Sequence, residues 1–332
     1  MKALILAGGF GTRLRPLTDH VPKSLLPICN RPFLEHQIRL LARHGVDEAT
    51  LLTGYLPDEF GPFAQLMLST VGVRLHISTE TKPLDTAGAV RSKLDELDGT
   101  TIVFNGDILT DVDITALVGV HRAKEAVLTL YLTPVEDARA FGLVVVDEIG
   151  RVEGFLEKPQ QLVSGTINAG VYVLEPETLA SIPADTPWSF ERQLFPQLLA
   201  DGANVVGHVG DEYWIDIGNP ERYMQAHVDV LEGRAHAMID GQMFTETRTL
   251  SDGTSIIGPT LLHHAPVGAG ARIGPLTTLG QGCAVGSGAI VERSVLHAGA
   301  TVGNGAIVRD SILGRGVVVG AGHEIIDQVL AP

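Results

Sequence analysis

The segment Lys2-Ala3-Leu4-Ile5-Leu6-Ala7, followed at once by Gly8-Gly9-Phe10-Gly11-Thr12-Arg13-Leu14, decides the fold of the amino-terminal part of this chain. A short aliphatic run that ends in glycines reads as a buried strand with a tight loop at its carboxyl end. Four further runs have the same strand-like character: Thr50 to Gly54, Val73 to Ser78, Thr101 to Phe104 and Ala126 to Leu132. Amphipathic stretches separate them. Phe33 to His44 is closed by Gly45, and Thr86 to Leu97 carries Ala89, Val90, Leu94 and Leu97 at helical spacing. Strand and helix in turn predict an α/β domain with a mostly parallel sheet and helices on both faces. Ligands of such sheets bind beyond the carboxyl ends of the strands, so those loops are where chemistry is expected.

The chain has 332 residues, 45% of them apolar, which suits one or two domains with a buried core. Its 24 basic and 39 acidic residues leave a net charge of −15, the wrong sign for a protein held to a phosphate backbone, so no nucleic acid partner is expected. Cys29 and Cys283 fit neither zinc-site nor disulfide spacing and read as reduced structural thiols of a cytoplasmic protein. The apolar stretch Ala3 to Ala7 meets the double glycine too early for a signal-peptide core or a membrane span, so neither export nor a membrane is expected.

Composition changes sharply toward the carboxyl end. From Leu250 onward the chain holds 16 of its 38 glycines and no Phe, Trp, Tyr or Lys. Aliphatic residues recur there at Val267, Ile273, Leu279, Val285 and Val291, then Leu296, Val302 and Val308, then Leu313 and Val319. Steps of six are interrupted by two steps of five. A six-residue period fits neither a helix nor a simple strand, but it fits a coil of three short faces with one inward aliphatic residue per face. This resembles the hexapeptide-repeat, left-handed parallel β-helix. The expected organisation is a domain over 1–235, a linker over 236–255 and the β-helix over 256–332.

The glycine loop lacks the Gly-Lys-Ser/Thr of one common phosphate loop, and Leu14 stands where a dinucleotide fingerprint has its last glycine. On its own it reads equally as a tight turn or as a phosphate site in which bare N–H groups, the Thr12 hydroxyl and the Arg13 and Arg15 guanidinium groups face an anion. Lys23, in Pro22-Lys23-Ser24-Leu25-Leu26-Pro27, favours the second reading. It is one of six lysines, held between prolines close to that loop.

Taken together, Leu6 to Pro27 is similar to the opening of the sugar-1-phosphate nucleotidyltransferases. The resemblance continues in order through Pro83-Leu84-Asp85-Thr86-Ala87-Gly88-Ala89, Asn105-Gly106-Asp107, Phe141-Gly142, Glu157-Lys158-Pro159, Ile167-Asn168-Ala169-Gly170 and Trp214-Ile215-Asp216-Ile217-Gly218-Asn219-Pro220. It lies closest to the mannose-1-phosphate guanylyltransferase branch, whose members also carry a short β-helix. It implies a Rossmann-like catalytic domain that joins a nucleoside triphosphate, preferably GTP, to a sugar 1-phosphate with release of pyrophosphate.

The attacking phosphate oxygen already carries charge, so such a reaction needs cations, backbone donors and carboxylates for Mg²⁺ rather than a general base. The resemblance implies Arg13, Lys23 and Lys158 as catalytic cations. It implies nucleotide contacts from Leu6, Ala7, Gly8, Gly9, Gly11, Thr12, Asp85, Thr86 and Gly88. Sugar-phosphate contacts would come from Asn105, Gly142, Glu157, Lys158 and Asn168, and Mg²⁺ ligands from Asp107 and Asp216, both at the ends of strand-like segments. Trp214 reads as core. Asp85 stands where the family commonly has glycine, and aspartate tolerates a left-handed backbone; Ser24 stands where proline or alanine is frequent. Thymidylyl transfer to glucose 1-phosphate, a silent nucleotide-sugar sensor, and an acyltransferase β-helix using His263, His264 or His297 are the competing readings. The coil ends and edges of a β-helix need covering, so a homo-oligomer is expected.

Overall fold

A computed structural model describes residues 2–332. Ala3, Leu4 and Ile5 are buried because their strand, Lys2–Leu6, has a parallel neighbour on each side, Glu48–Thr53 and Thr101–Asn105. A central parallel strand needs an unbroken apolar run, which this segment supplies. The sheet runs Val152–Glu157, Gly142–Val146, Gly165–Leu174, Thr101–Asn105, Lys2–Leu6, Glu48–Thr53 and Arg74–Thr79. Leu128–Val135 pairs antiparallel with Gly165–Leu174 and parallel with Val205–Val209. The sheet is therefore mixed: the strands between Thr101–Asn105 and Arg74–Thr79 are parallel, whereas Gly142–Val146, Val152–Glu157 and Gly165–Leu174 form an antiparallel arm. Leu6 lies opposite both Leu52 and Asn105, so three parallel strands end at one level.

Among the described residues six α-helices accompany the strands: α1 (Phe33–Arg43), α2 (Phe60–Thr70), α3 (Asp85–Arg91), α4 (Ile114–Ala123), α5 (Phe195–Ala200) and α6 (Pro220–Leu231). Gly45, at φ 78°, closes α1, and the Val46 N–H returns to the Leu41 carbonyl. The helix expected over Thr86 to Leu97 stops at Arg91 instead. The Ser92 hydroxyl takes the Ala89 carbonyl at 2.6 Å and competes with the helical ladder, and only a short turn over Leu94–Glu96 follows. Asn219 caps α6 by accepting from the Arg222 N–H at 2.8 Å. Asn219→Ala should cost about 1 kcal/mol, read as a lowered urea midpoint; an unchanged midpoint would show that the cap contributes nothing.

The chain forms two compact units, one of residues up to Phe10 with Gln37–Trp214, the other of Gly11–His36 with Ile215–Pro332. The first is built on the sheet, and its core includes Leu4, Val103, Leu130, Phe190 and the edge-on pair Tyr172 and Phe195, 5.6 Å apart. The second is built on the β-helix. This division differs from the compositional boundary near residue 235, because Gly11–His36 belongs with the carboxyl-terminal residues. Asn30 Nδ2, for example, donates to the Asp240 and Leu279 carbonyls.

In the second unit three parallel sheets form the faces of a β-helix. Ile273 pairs with Val291 and Val291 with Val308 on one face, Leu279, Leu296 and Leu313 align on the next, and Val285, Val302 and Val319 on the third. All of these side chains are buried, as the six-residue period predicts. The five-residue steps are corners shortened by one residue and turned by Arg293 (φ 41°) and Asp310 (φ 49°). The segment 236–255, expected as a linker, contains two strands instead. Gln242–Phe244 pairs antiparallel with Thr260–Leu262, and Arg248–Thr249 with Ser255–Ile256, which closes the edge that the first coil would leave open.

Candidate functional site

In the first unit, the common level of Leu6, Leu52 and Asn105 brings three glycine turns together. The Ala7 N–H donates to the Leu52 carbonyl and the Gly106 N–H to the Leu6 carbonyl, each within 3.0 Å. A Cβ on Gly106 would lie 2.5 Å from the Leu6 oxygen, and one on Gly8 would lie 3.3 Å from the Gly54 nitrogen, so only glycine lets the turns approach this closely. Gly9 and Phe10 are exposed. Ala7 is buried with its N–H already bonded, so it helps to shape the loop and has no donor left for an anion. Asp107, expected at a strand end, lies instead in the turn between Thr101–Asn105 and Ile108–Thr110, half-buried.

Asp85 has φ 59°, the left-handed conformation that explains why glycine suits this position. Its Oδ1 accepts from the Thr86 N–H at 2.8 Å and its Oδ2 pairs with Arg192. Thr86 Oγ1 accepts from the Phe190 N–H, and the Gly88 N–H donates to the Trp188 carbonyl. Gly88 is buried, and a Cβ there would stand 2.6 Å from the Thr186 oxygen. Its glycine is therefore required by packing against 186–188 and offers no free donor to a nucleotide. Glu80, which sequence reasoning missed, accepts from the Leu84 N–H at 3.3 Å and lies 3.9 Å from the place of a Gly54 Cβ, beside the glycine turns. Burial and the nearby Asp85 charge raise its pKa.

The antiparallel arm gathers the expected sugar contacts. Gly170, at φ 74°, donates its N–H to Asn168 Oδ1 at 3.1 Å, and a Cβ there would meet Asn105 Nδ2 at 2.7 Å. Asn168 Nδ2 donates to the Tyr172 hydroxyl at 2.9 Å. Asn105 Oδ1 is buried without a hydrogen-bond partner. Glu157 pairs with Lys158 at 2.8 Å, and its Oε2 lies 3.0 Å from the place of a Gly142 Cβ. Gly142 is buried in the ladder opposite Glu157, so its missing side chain makes room for Phe155 and for that carboxylate rather than exposing backbone. Trp214, expected in the core, is half-buried: it donates Nε1–H to the Ala169 carbonyl at 2.8 Å and stacks edge-on with Phe141 at 5.3 Å.

Glu191 also escaped the sequence reading. It accepts from the Ser189 hydroxyl at 3.0 Å and from the Tyr172 hydroxyl at 3.4 Å, and burial followed by the Glu157 and Asp85 charges raises its pKa. Nothing in its neighbourhood marked it, since Phe190 to Leu199 also carries Arg192, Gln193 and Gln197.

The second unit carries the remaining cations. Gly11, at φ 60°, holds its carbonyl to the Thr18 hydroxyl at 2.9 Å, and a Cβ there would lie 3.0 Å from Lys23 Cβ. Thr12 and Arg13 are exposed. Asp216 ends the strand Trp214–Asp216; its Oδ1 accepts from the Gly218 N–H and its Oδ2 from Arg222. Arg13 reaches the same glycine, with Nη2 3.0 Å from the place of a Gly218 Cβ.

Residues 2–233 match the family model described as nucleotidyl transferase, and residues 256–331 match that of the GMPPB C-terminal domain. The chain belongs to the nucleotidyl transferase family. It is 39% identical over 307 residues to the mannose-1-phosphate guanylyltransferase of Mycobacterium tuberculosis, covering 88% of this chain and 83% of that one. A probable mannose-1-phosphate guanylyltransferase of Oryza sativa is 37% identical, covering 88% and 80%. Among solved structures, HddC from Yersinia pseudotuberculosis, also solved in complex with GMP-PN, superposes with TM-score 0.60 at 28% identity over 69% of this chain and 99% of that one. As a nucleotidyl transferase the protein is an enzyme. Among its described residues no helix is long and apolar enough to cross a membrane.

Proposed function

We propose that the protein transfers a guanylyl group from GTP to mannose 1-phosphate, giving the nucleotide-sugar and pyrophosphate. The observation that carries this reading is the three glycine turns at one level, closed so tightly that backbone fills the space of their side chains. At their rim Gly9 is exposed, with open space where its side chain would be, and backbone accessible in this way suits phosphate oxygens. Relatives named for guanylyl transfer to mannose 1-phosphate, matching most of the chain, support the choice of substrates. Lys23 and Arg13 would neutralise the triphosphate, Lys158 the sugar phosphate, and Asn168 and Glu157 would accept or donate to sugar hydroxyls. Each of these groups would offset part of the repulsion between two anions that the reaction must bring into line.

The residues fit Mg²⁺. Asp107 and Asp216 offer hard oxygen ligands, and a magnesium site commonly takes one or two carboxylates and completes its shell with phosphate oxygens and water. Among the described residues no three His, Cys, Asp or Glu side chains cluster as a metal site, so most ligands would come from substrate. Bound Mg²⁺ supplies charge stabilisation on the phosphate oxygens. Arg222 holds Asp216 Oδ2 and would have to yield or share it.

Base preference is assigned to Glu80 rather than to Asp85. The Asp85 carboxylate already serves Thr86 and Arg192, whereas Glu80 lies beside the glycine turns with an oxygen able to accept from the guanine N1 and N2 donors. Glu80→Gln should lower the preference for GTP over dTTP about tenfold, the scale of one lost charge-assisted bond. Asp85→Gly should leave that ratio within about twofold. The deciding measurement is pyrophosphate release with four nucleotides against a panel of sugar 1-phosphates. Fastest turnover with dTTP and glucose 1-phosphate would overturn the guanylyl reading in favour of the thymidylyl one.

A further inference from the structure

The second unit contains a buried polar cluster that no part of the chemistry above employs. Tyr223 on α6 donates its hydroxyl proton to the Pro27 carbonyl, and His297 of the β-helix approaches the same hydroxyl with Nε2 at 2.9 Å. Because that proton is already donated, His297 must be the donor to the tyrosine oxygen, which fixes its tautomer. His227, one turn along α6, reaches the Pro27 carbonyl with Nε2 at 3.0 Å and accepts the Cys29 N–H on Nδ1 at 3.3 Å. All four residues around the Pro27 carbonyl, Tyr223, His227, His297 and Cys29, are buried. One carbonyl thus takes two side-chain donors, a third group orients one of them, and each hydrogen bond has one possible direction.

Pro27 closes the turn that carries Lys23. Within it the Leu25 N–H donates to the Pro22 carbonyl and the Leu26 N–H to the Lys23 carbonyl, so the turn is short and its ends are fixed by prolines. Cys29 and Asn30 follow with φ of 46° and 69°, and Asn30 is bonded to the Leu279 carbonyl on the β-helix. The turn therefore has little internal freedom, and its orientation is set where Pro27 is held.

We propose that Tyr223 and His297 are positioning residues for nucleotide binding: through the Pro27 carbonyl they hold the Lys23 turn in place from the β-helix. The proposal rests on the reading of Lys23 as a ligand of the triphosphate. It makes the β-helix a part of the nucleotide site rather than only an assembly module. It also accounts for a buried histidine on a coil of the β-helix, facing α6. His297, weighed above as an acyltransferase base, is buried and engaged with Tyr223, which removes it from that role.

The test uses the full chain with four variants, Tyr223→Phe, His297→Ala, His297→Gln and Lys23→Met, and Val302→Ala as a β-helix variant away from the cluster. Tyr223→Phe and His297→Ala should raise the KM for GTP about five- to thirtyfold, leave the KM for the sugar 1-phosphate unchanged, and speed amide hydrogen exchange at Leu25, Leu26 and Cys29. His297→Gln retains a side-chain N–H donor and should recover much of the GTP KM. Val302→Ala should lower the melting temperature without moving either KM. Unchanged exchange at the three amides, equal rises in both KM values, or the same GTP effect from Val302→Ala overturns the proposal. Lys23→Met separates the two readings: if it leaves the GTP KM unaltered, the assignment of Lys23 fails, whereas the exchange result still judges the mooring of the turn.

Discussion

Asp107→Asn should lower kcat by about 10²- to 10³-fold, the scale lost when one preorganised electrostatic partner of a charged transition state is removed. The amide is nearly isosteric, and Asp107 lies in a turn rather than in the core, so the melting temperature should stay within a few degrees. Asparagine is a weaker ligand for a hard cation, so the residual activity should demand more Mg²⁺ than the unmodified enzyme does. The measurement is pyrophosphate release against Mg²⁺ concentration, with chelator as the reference. Full turnover in the variant, or in excess chelator, would remove Asp107 from the metal assignment.

Acid should unfold the second unit early. Burial, with His297 and His36 as neighbours, holds His227 down to about 3, and burial holds His297 down to about 4, against an ordinary value of 6.5. The groups facing them are neutral donors and acceptors, Tyr223, Cys29 and the Pro27 carbonyl, and burial pushes the Cys29 thiol up to about 12. Both rings are neutral in the folded chain and titrate in the unfolded one, so the unfolded state binds more protons as pH falls. Stability from this source is complete above about pH 6.5 and declines as pH falls toward 4 and then 3. Urea midpoints measured from pH 7.5 to 4.5 should fall steeply in that window, and less steeply in His297→Gln. A flat profile would show that the rings titrate normally in the folded protein.

The parts of the fold that could be read from the sequence are those in which a local pattern meets a single physical demand. Lys2–Leu6 needed an unbroken apolar run, and the β-helix needed one aliphatic residue per face; both leave their period in the sequence. Two features left no such mark. The antiparallel arm over Gly142–Leu174 joins the sheet through Gly165–Leu174, whose register against Leu128–Val135 shifts between Asn168 and Tyr172, and no short window reveals that shift. Ser92 ended α3 through a side-chain bond that periodicity does not register.

The candidate site divides in the same way. Glycines at Gly8, Gly106 and Gly170 were legible as motif positions, while their reason, atoms within 3.3 Å of an absent Cβ, appears only in three dimensions. Gly88 and Gly142 were read as ligand contacts because a motif does not distinguish a glycine that faces a ligand from one that faces a packed neighbour. Glu80, Glu191 and Tyr223 were missed because each acquires meaning from a partner distant in sequence; His297 lies 74 residues from Tyr223.

The membership of Gly11–His36 in the same compact unit as the β-helix bears on how such a chain can be recombined. Cutting at residue 235 and grafting on another member's repeats would look harmless on a linear map. It would nevertheless separate His297 from Tyr223 and Leu279 from Asn30, replacing one half of a matched set of hydrogen bonds while leaving the other half in place. Functional chimeras should therefore require that residues 11–36 and α6 travel with the repeats they are bonded to. Inheritance in this protein is interleaved: the carboxyl-terminal coils and a stretch near the amino end are one heritable part, written in two places.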